Sequence, residues 1–226
     1  FIAPLPVPTG TAQERQAVSD LAWGLQKRHT HRRDTAARSG RRLTSGQCEA
    51  YTRSPNWLWA NVKPAETLKT EAPLELAKRE QTRWAKAEHH RRLTVHLDGL
   101  DVMLQAGATL TVLLDDDELK LLINGVPAIE GIFFLESTEG EFIAAQWRHA
   151  LRGVNVTEKF DGKRLLKKLL TLRRTENPAI IQQVVELDRQ IQALDVEIEQ
   201  IEAEINTLVY SLYKLTREEI LLVEAG

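Results

Sequence analysis

Thiol chemistry is almost absent: a single cysteine, Cys48, stands among 226 residues. It excludes an internal disulfide and a cysteine-built zinc site, and it fits a reducing, cytoplasmic setting. Long apolar runs are also missing. Stretches such as Leu110 to Leu114 and Ile132 to Leu135 fall far short of the roughly 20 residues that a bilayer-crossing helix needs, so no membrane partner is expected. The opening Phe1-Ile2-Ala3-Pro4-Leu5-Pro6 has neither an initiator Met nor a basic, then apolar, leader. It reads as the edge of a longer chain and not as a signal peptide. What the sequence does have is 42% hydrophobic residues, enough for a folded core in one or two domains.

The formal net charge of −2 hides a strong polarity along the chain. Lys27 to Arg53 holds eight basic residues against two acidic, and Lys159 to Arg174 seven against one, each stretch netting +6. From Thr175 onward three basic residues face eleven acidic, a net −8. Segregation of this kind speaks to partners more than the total does.

Pro4, Pro6 and Pro8 predict an extended start, and Thr11 with Glu14 forms a capping-box pattern that starts a helix near Ala12. Val18, Leu21, Ala22 and Leu25 give that helix an apolar face before its texture turns basic, and Arg38, Arg41 and Arg42 are expected beyond it, continuing through Ser39-Gly40. Ser54-Pro55, Pro64 and Pro73 punctuate an aperiodic connection containing Trp57 and Trp59. Helical composition returns from Pro73 to Gln105, with Leu74, Ala77, Trp84, Leu93, Leu97, Leu100 and Leu104 as expected core. Leu110 to Leu114 and Leu119 to Ile123 read as strands of a small meander, with Asn124-Gly125 as a turn. Two more helices are expected over Glu139 to Leu151 and Gly162 to Arg173. Glu176-Asn177-Pro178 starts the last long element. Ile180, Val184, Leu187, Ile191, Leu194, Ile198, Ile201, Ile205, Leu208 and Leu212 alternate spacings of four and three, a heptad seam on a helix of about 35 residues and about 50 Å. Such a seam must be covered by another helix of the chain, by a second copy in a homodimer, or by a partner subunit. Thr216 with Glu219 caps a short final helix bearing Ile220, Leu221 and Val223. The fold class is therefore mainly α with a small β meander (α+β), the heptad helix lying in an antiparallel helical pair or bundle.

The segment "EIEQIEAEINTLVYSLYKLTREEILLVE" resembles the C-terminal signature of large type IIG-like restriction-modification proteins and related adenine-specific DNA methyltransferases, I-D-x-L-V-Y-x-L-Y-G-L-T-x-E-E-I-x-x-V-E. It departs at Asn206, where the family has Asp, and at Lys214, where it has Gly; both lie in or beside the turn and imply a slightly different geometry there. "FIAPLPVPTGTAQERQAV" is similar to the segment leading from a target recognition domain into a long helix in these enzymes and in the helical spacer of type I specificity subunits. The resemblance implies that 1–10 is the end of an upstream recognition domain; the patterns along the chain divide the rest into 11–106, a helical region with a basic stretch, 107–153, a small α+β insertion, and 154–226, the basic, heptad and C-terminal helices. It implies double-stranded DNA as partner, with upstream methyltransferase and recognition domains, and S-adenosylmethionine held in that upstream portion.

The chemistry of base methylation is not written in these residues. A flipped adenine needs an Asn/Asp-Pro-Pro-aromatic loop, and Asn177-Pro178 is followed by Ala and reads as a helix cap. The scattered glycines form no methyl-donor loop. Asp115-Asp116-Asp117-Glu118 with Lys120 is the one local candidate for a Mg²⁺ nuclease centre, and adjacent acids in a tight turn diverge, so it reads as a solvated turn. His89-His90 and His29/His31 diverge on a helix and read as non-ligating; Cys48 reads as a plain thiol, and Trp57, Trp59 and Trp84 as packing residues. No catalytic, cofactor or metal residue is expected here.

The candidate site is basic. Arg28, Arg32, Arg33, Arg38, Arg41 and Arg42, with Lys27 beside them, and Lys163, Arg164, Lys167 and Lys168 form two faces suited to phosphate oxygens. Two readings stand: contact with a DNA backbone, or a solvated face paired in part against the acidic heptad helix. Phosphate contacts alone would position the chain without specifying a sequence.

Overall fold

The computed structural model describes residues 10–225. The proline-rich start and the recognition-domain remnant expected there lie outside the described residues. In chain order the elements are α1 (Ala12–Leu43), β1 (Glu49–Thr52), a 3-10 turn at Pro55–Trp57, α2 (Ala65–Leu68), a second such turn at Lys69–Glu71, α3 (Lys78–Met103), β2 (Leu110–Asp115), β3 (Glu118–Ile123), β4 (Val126–Phe133), α4 (Ser137–Leu151), α5 (Gly162–Leu170), β5 (Thr171–Arg174), α6 (Pro178–Leu212) and α7 (Arg217–Ala225). The fold is mainly helical with small antiparallel sheets. Two compact units emerge, one of the residues up to Arg38 with those from Glu186, the other Ser39–Val185.

The first unit is an antiparallel pair made by α1 and α6. Its start is a capping box: Glu14 Oε2 accepts from the Thr11 N–H at 2.7 Å while Thr11 Oγ1 accepts from the Glu14 N–H at 3.2 Å. The Thr11 N–H holds the Glu14 carboxyl below its ordinary value. On α6, Ile191, Leu194, Ile198 and Leu212 are buried and Leu187, Ile201, Ile205 and Leu208 half-buried, so the chain itself covers the seam in part. The α1 residues at matching spacing are Val18, Leu21, Leu25, Arg28, Arg32 and Thr35: half-buried until Thr35, which is fully buried. The heptad of α1 thus changes from aliphatic to arginine midway.

The C-terminus of α6 is a Schellman motif. The Leu215 N–H donates to the Tyr210 carbonyl and the Lys214 N–H to that of Ser211, both at 3.0 Å, with Lys214 at φ 52°. Lys214 holds the left-handed backbone that glycine adopts without strain. Thr216 and Glu219 then form the second capping box, at 2.7 and 3.3 Å.

The second unit is built on a meander whose inner face carries Val112, Leu119, Leu121, Ile123, Ile129 and Ile132. Asn124 and Gly125 both take positive φ, 52° and 77°, between the paired Ile123 and Val126, which is the type I′ hairpin that Asn-Gly favours. Against this face pack Ile143, Ala144, Trp147 and Leu151 of α4, Leu165, Leu166 and Leu169 of α5, and Leu97 and Leu100 of α3. Trp147 is wholly buried, and its indole N–H donates to the Leu169 carbonyl at 2.9 Å. Gly162 lets α5 approach α3 closely: a Cβ there would sit 3.2 Å from the Leu97 carbonyl and from Leu100 Cβ. Asp161 Oδ1 caps the Arg164 N–H of α5 at 2.8 Å, and Asp101 Oδ1 takes the Gly162 N–H at 2.6 Å. A smaller cluster joins Leu43, Cys48, Phe142, Ala145, Ile180, Val184 and Val185.

Four expectations are corrected. Helix α1 does not stop short of Arg38 but runs through Ser39-Gly40 to Leu43, where Ser39 is buried and Gly40 lies against His149, whose Cε1 would be 3.0 Å from a Cβ at that position. The helix expected over Gly162 to Arg173 stops at Leu170, and Thr171–Arg174 becomes β5, paired antiparallel with β1. Buried Gln146 supports that strand: its side-chain amide donates to the Arg173 carbonyl at 3.0 Å and accepts the Arg173 N–H at 2.6 Å. Leu74 and Ala77 are not core. Pro73 delays α3, Ala77 is its extended N-cap, and Leu74 is 90% exposed.

Candidate basic surfaces

The structure sorts the ten expected cations by what each already touches. In the first unit Arg28 Nε lies 2.7 Å from Glu197 Oε2, Arg32 Nη1 2.8 Å from Asp195 Oδ1, and His29 Nε2 3.5 Å from Glu202 Oε1. The earlier Arg28 meets the later Glu197 and Arg32 meets Asp195, the antiparallel order of the pair. Arg28 and Arg32 are therefore neutralised along the seam. Arg33 reaches its neighbour Asp34 at 3.3 Å, and Arg38 donates to Thr35 Oγ1 at 3.0 Å. Lys27 lies over the exposed Trp23 ring, 5.6 Å from its centroid.

The second unit holds the others. Arg41 and Arg42 are exposed on the last turn of α1, where a helix C-terminus favours cations. On α5 the aliphatic and basic residues separate cleanly: Leu165, Leu166, Leu169 and Leu170 are buried, Lys163, Arg164 and Lys167 exposed and Lys168 half-buried. Arg164 donates to the Lys159 carbonyl and Lys168 to the Ala150 carbonyl. Lys163 and Lys167, four residues apart on one face, make no ion pair among the described residues, and neither do Arg41 and Arg42.

Sequence reasoning overlooked a ladder of guanidinium and aromatic groups. Arg53 lies 4.4 Å from the Trp57 ring centroid and 5.8 Å from that of Tyr51, and Arg174 lies 6.0 Å from Tyr51. Antiparallel pairing of β1 with β5, which sets Glu49 opposite Arg174, brings these residues together across 125 positions. No local signal could have found them, because β1 is too short to show alternation. Glu49 and Glu139 neutralise Arg174 and Arg53 at 3.0 and 3.1 Å, so the ladder ties strands together and offers no free charge.

The other chemical candidates are occupied by their own neighbours. Lys120 Nζ lies 2.8 Å from Glu118 and 3.5 Å from Asp115, and Glu118 also accepts the Gly131 N–H at 2.8 Å. The Lys120 ammonium keeps the Glu118 carboxyl below its usual range. His89 Nδ1 is 2.9 Å from the Lys63 carbonyl, whereas His90 is exposed. His96 stacks on Trp59 with centroids 4.4 Å apart and planes within 7°, and burial lowers its pKa. Trp57 packs edge-on against Trp147 at 5.8 Å. Asn177 caps α6 by accepting the Ala179 N–H at 3.0 Å. Among the described residues no group of three or more His, Cys, Asp or Glu is placed to hold a metal ion, and no helix is long and apolar enough to cross a membrane. Comparison with protein-family models, curated proteins and solved structures finds no match.

Proposed function

We propose that this chain is the non-catalytic, DNA-facing C-terminal part of a restriction-modification or phage-defence adenine DNA methyltransferase, holding the duplex backbone and supporting target recognition. Methyl transfer and S-adenosylmethionine belong, in this reading, to a methyltransferase domain outside these residues. The observation that carries it is the set of exposed cations without carboxylate partners: Arg41 and Arg42 at the end of α1, and Lys163 and Lys167 on α5. Unpaired surface cations gain most from replacing the counterions of a phosphate backbone. The resemblance of the C-terminal segment supplies the class of parent protein.

The test is fluorescence anisotropy of the chain on a short duplex across a salt series. R41A/R42A/K163A/K167A should weaken binding and flatten the salt dependence by about three to four, at roughly 0.9 per phosphate contact. The paired variant R28A/R32A should change binding far less. Absence of duplex binding at low salt by the folded chain would overturn the reading.

A second reading is favoured by α7, where Leu221, Leu222 and Val223 are 58%, 75% and 59% exposed. Exposed apolar side chains spread around this helix fit a helical module that docks a protein partner without touching DNA. Light scattering after size exclusion would reveal self-association, and L221S/L222S would abolish it.

A further inference from the structure

We propose that the face of α3 carrying Arg79, Arg83, Lys86 and His90 is a further phosphate-backbone contact, occupied by duplex DNA; this rests on the DNA-facing reading above and extends it to an element that reading does not use. The spacing is four, three, four, which at about 100° per residue keeps all four side chains within an arc of roughly 60°. All four are exposed, and none joins an ion pair among the described residues. His90 adds its charge when protonated.

The contrast with the neighbouring face of the same helix is what singles the stripe out. Arg91 and Arg92 are both taken by Glu88, at 2.7 Å, and Arg92 also reaches Glu71 at 3.3 Å. Two guanidinium partners lower the Glu88 carboxyl to about 2. Glu80, the acid nearest the stripe in sequence, spends a carboxylate oxygen on the Ala77 N–H at 3.1 Å. The helix thus has its other arginines, Arg91 and Arg92, taken by Glu88 and Glu71, while Arg79, Arg83 and Lys86 face outward together on one stripe.

Arg79 to Lys86 covers about 10 Å of helix, and about 16 Å with His90, at 1.5 Å per residue, axial lengths over which one strand of B-DNA presents about three and about five phosphates. A protein partner fits less well. Protein interfaces are anchored by buried aromatic or aliphatic side chains with charges at the rim, and the exposed apolar residues of α3, Val95 and Val102, lie roughly 140–160° around the helix from Arg79.

The experiment uses the full chain, a labelled duplex of about 20 base pairs and salt from about 50 to about 200 mM. R79A/R83A/K86A should bind roughly tenfold or more weakly at low salt, with the slope of log K against log salt reduced by about two to three. R79Q/R83Q/K86Q should behave alike, and R79K/R83K should keep the wild-type slope; helicity by circular dichroism should be unchanged in all three. Wild-type binding by R79A/R83A/K86A, alongside weakened binding by R41A/R42A/K163A/K167A, would overturn the α3 contact and leave the DNA-facing reading standing. No duplex binding by the wild-type chain would overturn both.

Discussion

The two units hold themselves together differently. In Ser39–Val185 a sheet is covered by helices, and Trp147, Leu119, Leu121, Leu165 and Leu169 have essentially no exposed surface. In the α1/α6 unit each seam residue faces one partner helix, half the seam stays partly exposed, and arginines complete it by pairing with acids at the rim. Layered packing surrounds a side chain on all sides, whereas a two-helix seam encloses a strip. The contrast extends to charge: the helical pair spends Arg28 and Arg32 on cohesion across its seam, whereas the layered unit pairs Arg53, Arg91, Arg92 and Arg174 and still exposes Arg41, Arg42, Lys163 and Lys167 with no ion pair among the described residues.

The largest test of that contrast is Trp147→Ala. It should cost the layered unit about 3–5 kcal/mol, from lost burial, the residual cavity and the Leu169 carbonyl left without its donor. Hydrogen exchange at the β3 amides would register the loss. A cost near 1 kcal/mol would mean that this core is no denser than the seam.

In the helical pair a change toward stability is available. Lys214→Gly relieves a left-handed residue inside a Schellman motif and should raise stability by about 0.5–1 kcal/mol, net of the freedom glycine adds to the unfolded chain. Thermal unfolding followed by helicity would show it, and a fall in the midpoint would mean that the Lys214 side chain contributes more than its backbone costs. Smaller still is the effect of Arg28→Ala or Arg32→Ala. With side chains about 39% exposed, each pair contributes roughly 0.2–1 kcal/mol, falling with added salt. A salt-independent loss above that range would show that the arginine stems carry the seam by packing and not by charge.

Much of this architecture was readable beforehand. Both capping boxes, the Asn124-Gly125 hairpin, the start of α6 at Pro178 and the seam spacing all matched, since each depends on residues within a few positions of one another. Leu74 misled because hydrophobicity and local composition do not say where a helix begins once Pro73 and an extended Ala77 intervene. The end of α1 misled because Ser39-Gly40 is a poor helix sequence locally, and burial of Ser39 and close packing of Gly40 on His149 outweigh that weakness. Which basic residues are paired was not readable: composition cannot distinguish Arg28, opposite Glu197, from Lys163, opposite none of the described acids.

Sequence alone therefore determined the long helices, their caps, the tight turn and the heptad stripe, because hydrogen-bond geometry and side-chain periodicity act over one or two turns of chain. Tertiary structure decided where α1 stops, that Thr171–Arg174 pairs as a strand with Glu49–Thr52 under the support of Gln146, and which cations are spent internally. Those outcomes depend on groups brought together across 27 to 169 positions, and neither strand propensity nor charge count records a distance in space.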